Sequence, residues 1–224
     1  MRYKEIVKKL KSLHNPESIA GMPRFGITPR NALGISVYTL RDIAKEIGKN
    51  HKLAQQLWTS GIHEARILAE LIDEPEKITE KQMEVWVKDF DSWDICDQVC
   101  SNLFDKTSFA YKKALEWTKR EEEFVKRAGF VLMASLAVHD KRADDKKFEK
   151  FLSLIIKEST DERNFVKKAV NWALRQIGKR NLNLNKRAIE TALEIRKIDS
   201  KSARWIANDA IRELRSEKVK KRLS

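Results

Sequence analysis

Apolar residues recur along this chain at spacings of three and four, the period of a helix that buries one stripe. Residues 1–13 place Ile6, Val7, Leu10 and Leu13 on one such stripe. Residues 14–36 break the rhythm. They hold three of the four prolines (Pro16, Pro23, Pro29) and three glycines, so any helix there must be short or interrupted. From Val37 the pattern is helix after helix. Leu40, Ile43, Ala44 and Ile47 form one stripe, with Gly48 as a stop, and Leu53, Leu57 and Trp58 form the next. Ala65 to Ile72 makes another, closed by Asp73-Glu74-Pro75, and Thr79 opens one with Glu80 in its first turn. No stretch alternates long enough to predict a strand.

The later helices repeat. Phe124-Val125-Lys126-Arg127-Ala128 recurs 41 residues on as Phe165-Val166-Lys167-Lys168-Ala169, and more faintly as Ile206-Ala207-Asn208-Asp209-Ala210. That period belongs to HEAT and armadillo units, whose helix pairs bury their apolar faces against neighbouring copies. The pattern predicts an all-α, HEAT/armadillo-like α-solenoid of roughly twelve helices. It forms a single domain over residues 1–224, with 216–224 as a basic C-terminal tail. Periodicity alone leaves an ordinary helical bundle open.

Charge changes the picture more than size does. The net charge is +13, and its distribution is uneven. Residues 1–118 hold 18 basic and 17 acidic side chains, residues 119–162 hold 10 of each, and residues 163–224 hold 18 against 6. An excess gathered in the last quarter, among residues patterned as ordered helix, points to a polyanion such as nucleic acid. No apolar run approaches a membrane span, and the N-terminus leads into an amphipathic stretch where a secretory signal would have an apolar one. The expectation is a cytoplasmic chain, nucleoid-associated when on DNA, monomeric and without an obligate protein partner or a membrane role. Cys96 and Cys100 fall on one helical face with diverging Cβ vectors, so they read as buried thiols. His63 and His139 complete no zinc pattern with them, and no metal or cofactor is expected.

Three places can carry chemistry. In Phe90-Asp91-Ser92-Trp93-Asp94-Ile95-Cys96-Asp97, Trp93 and Asp97 are one turn apart and share a helix face. Asp91 or Ser92 can cap that helix and Asp94 suits its positive end, so Asp94 reads as structural, while capping leaves Asp97 unexplained. A core tryptophan and an exposed helix carboxylate are the plainer readings of the pair. Arg127 enters a helix that is apolar nearly all round; it is either a phosphate clamp or half of an ion pair to Glu123 or Asp97. On the helix 164–179, Lys168, Trp172, Arg175 and Lys179 form one stripe at the edge of the apolar face. An aromatic framed by cations suits nucleic acid, although the ring can equally be tucked under its neighbours' stems.

Gly61-Ile62-His63-Glu64-Ala65-Arg66, Asp91-Ser92-Trp93-Asp94, Glu123-Phe124-Val125-Lys126-Arg127-Ala128 and Lys168-Ala169-Val170-Asn171-Trp172-Ala173-Leu174-Arg175 together resemble the AlkD-like DNA alkylation repair family, over roughly residues 1–215. The resemblance implies HEAT-like repeats with a basic surface for duplex DNA and excision of cationic N3- and N7-alkylated purines without flipping the damaged base into a pocket. It matches Trp93 and the key carboxylate Asp97 to the family's Trp-Asp-x-x-Asp segment. It also matches Trp172 to a later tryptophan, Arg127 to the arginine of the central helix, and Arg175 to one three residues past that tryptophan. Asp97, Trp93 and Trp172 are therefore the candidate catalytic residues, and Arg127, Lys168, Arg175, Lys179 and Arg180 the candidate DNA-binding ones. The chemistry suits so small an inventory, because a cationic purine leaves without a general acid. Two rivals stand beside a glycosylase: a non-catalytic binder of damaged or branched DNA, and a HEAT scaffold for protein partners, which the basic last quarter disfavours.

Overall fold

The computed structural model describes residues 1–223, in which fourteen α-helices and three 3-10 turns are connected by short links, with no strand among the described residues. Contacts divide the chain into two compact units, Met1–Thr107 and the part from Ser108 onward, where the sequence reading took 1–224 as one domain.

The first unit contains α1 (Tyr3–Ser12), α2 (Pro16–Gly21), α3 (Val37–Ile47), α4 (His51–Thr59), α5 (His63–Ile72), α6 (Glu80–Lys88) and α7 (Trp93–Asn102). Local chemistry sets their limits. Asn15, Ser36, Asn50 and Thr79 each stand at an N-cap and accept a backbone N–H from the first turn. Gly48 ends α3 at φ 74°, a left-handed position that glycine adopts without strain. The core centres on Trp58 of α4 and Trp86 of α6, whose rings lie parallel at 3.9 Å, with Phe90 and Phe104 tilted around them. The Trp58 indole N–H donates to Asp89 Oδ2 at 2.8 Å, so the buried ring has its polar partner.

Between α1 and α3 the proline- and glycine-rich stretch forms a strap. It contains α2 and a 3-10 turn, Met22–Phe25, which Gly26 closes at φ 71°. Its return limb is held by Glu64, 1% exposed on α5. The two carboxylate oxygens accept the N–H groups of Leu33, Gly34 and Ile35 at 2.8, 2.6 and 3.3 Å. Three donors offset the cost of burying that charge.

The second unit contains α8 (Ala110–Trp117), α9 (Glu123–His139), α10 (Asp145–Glu158), α11 (Asn164–Gly178), α12 (Leu182–Ile195), α13 (Lys201–Leu214) and α14 (Glu217–Leu223). The 41-residue echo corresponds to α9, α11 and α13, the first members of three successive helix pairs. Phe124 and Phe165 stand in contact, centroids 5.4 Å apart. Side chains also reach across one repeat to backbone carbonyls: Arg127 Nη1 to Phe165, Arg163 Nη1 to Glu121 and Ser202 Oγ to Asp161, at separations of 38, 42 and 41 residues. The stretch 216–224, read as a tail, contains the helix α14 up to Leu223, and Val219 within it is buried.

Every residue of α9 from Val125 to Ala137 is buried, which is why its sequence is apolar on all sides. It packs most extensively on α11 and then on α8. The α8 approach is close enough to require Gly129: a Cβ there would stand 2.6 Å from Thr118 N and 2.8 Å from Thr118 Cγ2. Gly129→Ala is therefore expected to destabilise the protein by about 1–3 kcal/mol through overpacking, despite alanine's better helix propensity. Urea unfolding checks this, and a variant as stable as wild type would mean that α8 yields without cost.

Candidate functional site

On α7, Trp93 is the first residue and Asp97 follows one turn later on the same face; both are half-buried. The start of this helix is tied to the strap. The Trp93 indole N–H donates to the Phe25 carbonyl at 2.9 Å, and the Thr28 hydroxyl donates to the Asp91 carbonyl at 3.0 Å. Ser92 occupies the N-cap position, but its hydroxyl donates to Asp94 Oδ1 at 2.5 Å and caps no backbone N–H.

Asp94 is structural, as the sequence suggested, through a partner the sequence did not name. His63, 4% exposed at the start of α5, pairs through Nε2 with Asp94 Oδ2 at 2.8 Å. Burial lowers the His63 pKa, but the hydrogen bond and charge of Asp94 outweigh it, and the net shift is upward from the ordinary 6.5. For Asp94, burial raises the pKa and the His63 contact more than reverses it, so the carboxyl sits below its ordinary value. A cavity of about 490 Å³ beneath the strap is bordered by His63, Glu64 and Asp94 together with Asn15, Gly34 and Ser36.

In the second unit, α11 carries Lys168, Trp172, Arg175 and Lys179 in or directly after it, as the stripe predicted. Lys168 is exposed and Trp172 is half-buried. Arg175 and Lys179 do not stand alone: Arg175 Nη1 lies 2.5 Å from Glu213 Oε2 and 3.5 Å from Asp209 Oδ2, and Lys179 Nζ donates to Glu213 Oε1 at 2.7 Å. Burial raises the Glu213 pKa, but the Lys179 hydrogen bond and the two cations hold it below its ordinary value. Arg180, grouped with these cations by sequence, turns the other way. Its guanidinium donates to the carbonyls of Ala137 and Ala143 and lies 4.4 Å from the Phe148 ring centroid, pinning the link from α9 to α10. Arg127 is 5% exposed, and its Nη1 donates to the Phe165 carbonyl at 2.6 Å.

Sequence reasoning missed Glu64, the His63–Asp94 pair and the exposed Phe25. Glu64, His63 and Asp94 lie in segments already singled out, but hydrogen bonds to residues about thirty positions away leave no periodic signal. Among the described residues no cluster of three or more His, Cys, Asp or Glu side chains is arranged to hold a metal ion, and no helix is long and apolar enough to cross a membrane. Cys96 and Cys100 are buried thiols, and burial raises the Cys100 pKa.

The family model described as DNA alkylation repair enzyme matches residues 6–214. This chain belongs to that family. A solved structure described as a new family of proteins related to the HEAT-like repeat DNA glycosylases with affinity for branched DNA structures is similar to this family member. Its TM-score is 0.78 at 19% identity, with 95% of each chain covered. The repair family member thus has the HEAT-like, all-α fold that its 41-residue period predicted. A designed armadillo repeat protein in complex with a (KR)4 peptide gives a TM-score of 0.38 at 15% identity, covering 82% of this chain and 88% of that one. No curated protein matches the chain in sequence.

The His63–Asp94 pair makes stability depend on pH in a definite direction. Because the folded His63 pKa is raised, its contribution is full below the unfolded value of 6.5 and is lost as pH rises through the folded value. Because the Asp94 pKa is lowered, its contribution is present above the unfolded value of 3.8 and fades as pH falls through the folded value. The stability lost in His63→Gln should therefore be larger at pH 5.5 than at pH 8.5 in urea unfolding. An equal loss at both would mean that the histidine pairs without charge.

Proposed function

We propose that this chain is a DNA glycosylase that excises cationic N3- and N7-alkylated purines from duplex DNA. The observation that carries the reading is membership of the DNA alkylation repair enzyme family over residues 6–214, with Trp93 and Asp97 on one face of α7 within the matched segment. An alkylated purine already bears positive charge. The C1′–N bond can break with its electron pair passing to the base, which leaves neutral, so no general acid is needed. The protein then has to stabilise the oxocarbenium-like sugar and admit water to C1′. In this reading Asp97 supplies the opposing negative charge and receives the water's proton as the new C1′–O bond forms. Trp93, held by its bond to the Phe25 carbonyl, offers a ring face to the cationic nucleotide, and Trp172 is assigned a positioning contact with the DNA.

DNA affinity in this reading comes from Lys168, Arg175 and Lys179. Arg127 and Arg180 act indirectly: each gives its guanidinium to backbone carbonyls and so fixes helix ends. The exposed Lys168 meets phosphate directly, whereas Arg175 and Lys179 share their charge with Glu213. DNA must compete with that carboxylate. Glu213→Gln is therefore expected to tighten duplex binding at low salt and to steepen the dependence of log K on log salt by roughly one unit. Weaker binding, or an unchanged slope, would assign the two cations a purely structural role.

The enzymatic test is release of base from a duplex bearing N7-methylguanine. Wild type should release the free base and leave an abasic site. Asp97→Asn, which keeps the size and loses the charge, should lower single-turnover excision by about a hundredfold or more while duplex binding survives. Trp172→Ala should be milder, because the ring positions and does not react. A second reading has one observation in its favour: the structural neighbour is described as having affinity for branched DNA. Wild type that binds DNA, with preference for a branched junction, and releases no alkylated base would establish that reading in place of the first.

A further inference from the structure

We propose that the strap from Met22 to Asn31 is a DNA-reading element. Phe25 stacks on a base at an opened or distorted step, and Arg24 and Arg30 hold the phosphates on either side. The inference rests on the DNA-binding reading above and assigns to DNA a part of the first unit which the basic last quarter of the sequence would not have indicated.

Phe25 is 73% exposed, an unusual position for a ring that gains stability from burial. Its backbone is nevertheless tightly held. Pro23 lies within the turn, Gly26 closes it in the left-handed region, and Gly26 N–H and Ile27 N–H donate to the carbonyls of Pro23 and Met22 at 2.9 and 3.1 Å. The Phe25 carbonyl itself takes the Trp93 indole N–H, Thr28 holds the Asp91 carbonyl, and the Asn31 carbonyl accepts the His63 N–H at 3.2 Å. A ring displayed on a turn fixed at so many points is pre-organised, and little ordering cost remains when it meets a planar partner. Apolar side chains, Phe among them, serve as wedges that enter DNA between base steps.

The surroundings specify the partner's charge. From Ser18 to Arg41 the chain has three arginines (Arg24, Arg30, Arg41) and no acidic residue. Arg24 and Arg30 are exposed, and Arg30 borders a cavity of about 320 Å³ shared with Arg66 and Lys88. Arg66 is already committed: Nη1 donates to the Asp89 carbonyl, Nη2 lies 3.8 Å from Asp89 Oδ2, and the guanidinium lies over the Trp58 ring. Of the two carboxylates that also border the cavity, Asp89 is already engaged by the Trp58 indole. The exposed Arg24 and Arg30 suit phosphate, and cations beside an exposed ring suit a nucleic acid with an accessible base face. Because Trp93 shares a hydrogen bond with the Phe25 backbone, the wedge and the candidate reaction residue would meet neighbouring nucleotides.

The test uses the full chain and a duplex with 2-aminopurine beside a tetrahydrofuran abasic site, compared with the same duplex bearing an ordinary nucleotide there. Phe25→Ala should bind the abasic duplex roughly tenfold more weakly than wild type, and Phe25→Tyr should bind as wild type does. At saturation the 2-aminopurine emission should change with wild type and Phe25→Tyr but not with Phe25→Ala. The thermal midpoint of Phe25→Ala should equal that of wild type. If Phe25→Ala binds equally well and gives the same emission change, the stacking role is overturned while the DNA-binding reading stands. A lowered midpoint would make Phe25 structural and overturn the proposal as well. If wild type binds neither duplex and only an acidic peptide, both this proposal and the reading beneath it fail.

Discussion

Glu64 is a carboxylate with almost no contact with water, and it accepts three consecutive backbone N–H groups from a segment thirty residues earlier in the chain. Without those donors its charge could not stay buried; without the charge, three strap amides would lack their acceptor. The strap is thereby anchored to the start of α5. Its other limb reaches the start of α7, where the Trp93 indole and the Asp91 carbonyl meet Phe25 and Thr28. The preceding residue, His63, pairs with Asp94 on α7 and joins the same two helix starts. The position of Trp93, and of Asp97 one turn on, follows from this set of polar contacts as much as from apolar packing.

The second unit is organised by repetition. Three first helices recur at the 41-residue period, and arginines and a serine reach across one repeat to carbonyls in the neighbouring link or at the start of the neighbouring helix. Such contacts tie one repeat to the next and fix its register. This also changes how the charge excess should be understood. Several cations of the last quarter are engaged: Arg180 with carbonyls, Arg175 and Lys179 with Glu213, and Arg212 with Asp209. The net charge remains and still favours a polyanion, but which cation touches phosphate is decided by these local partners, not by position on a helical wheel.

That difference marks what the sequence could tell. Helix positions were legible because each buries a stripe: the stop at Gly48, the cap at Thr79 and the all-round burial of α9 follow from periodicity and cap chemistry. Trp93 with Asp97, and Trp172 among cations, were legible for the same reason, since residues a turn apart share a face. The strap was not. Its course is set by bonds from Glu64, His63 and Trp93 to distant backbone atoms, and the local sequence records only that helices break there. Nor could spacing distinguish Arg180, committed to the backbone, from the exposed Lys168 on the same basic stretch.

In the proposed function, DNA is read where the strap meets α7 and along α11. Hydrogen–deuterium exchange of the full chain, with and without a saturating N7-methylguanine duplex, tests it most directly. Slowed exchange is expected in peptides covering residues 22–31, the first two turns of α7 and the part of α11 around Lys168 and Trp172. Slowed exchange confined to α14, with the strap and α7 unchanged under DNA saturation, would contradict it.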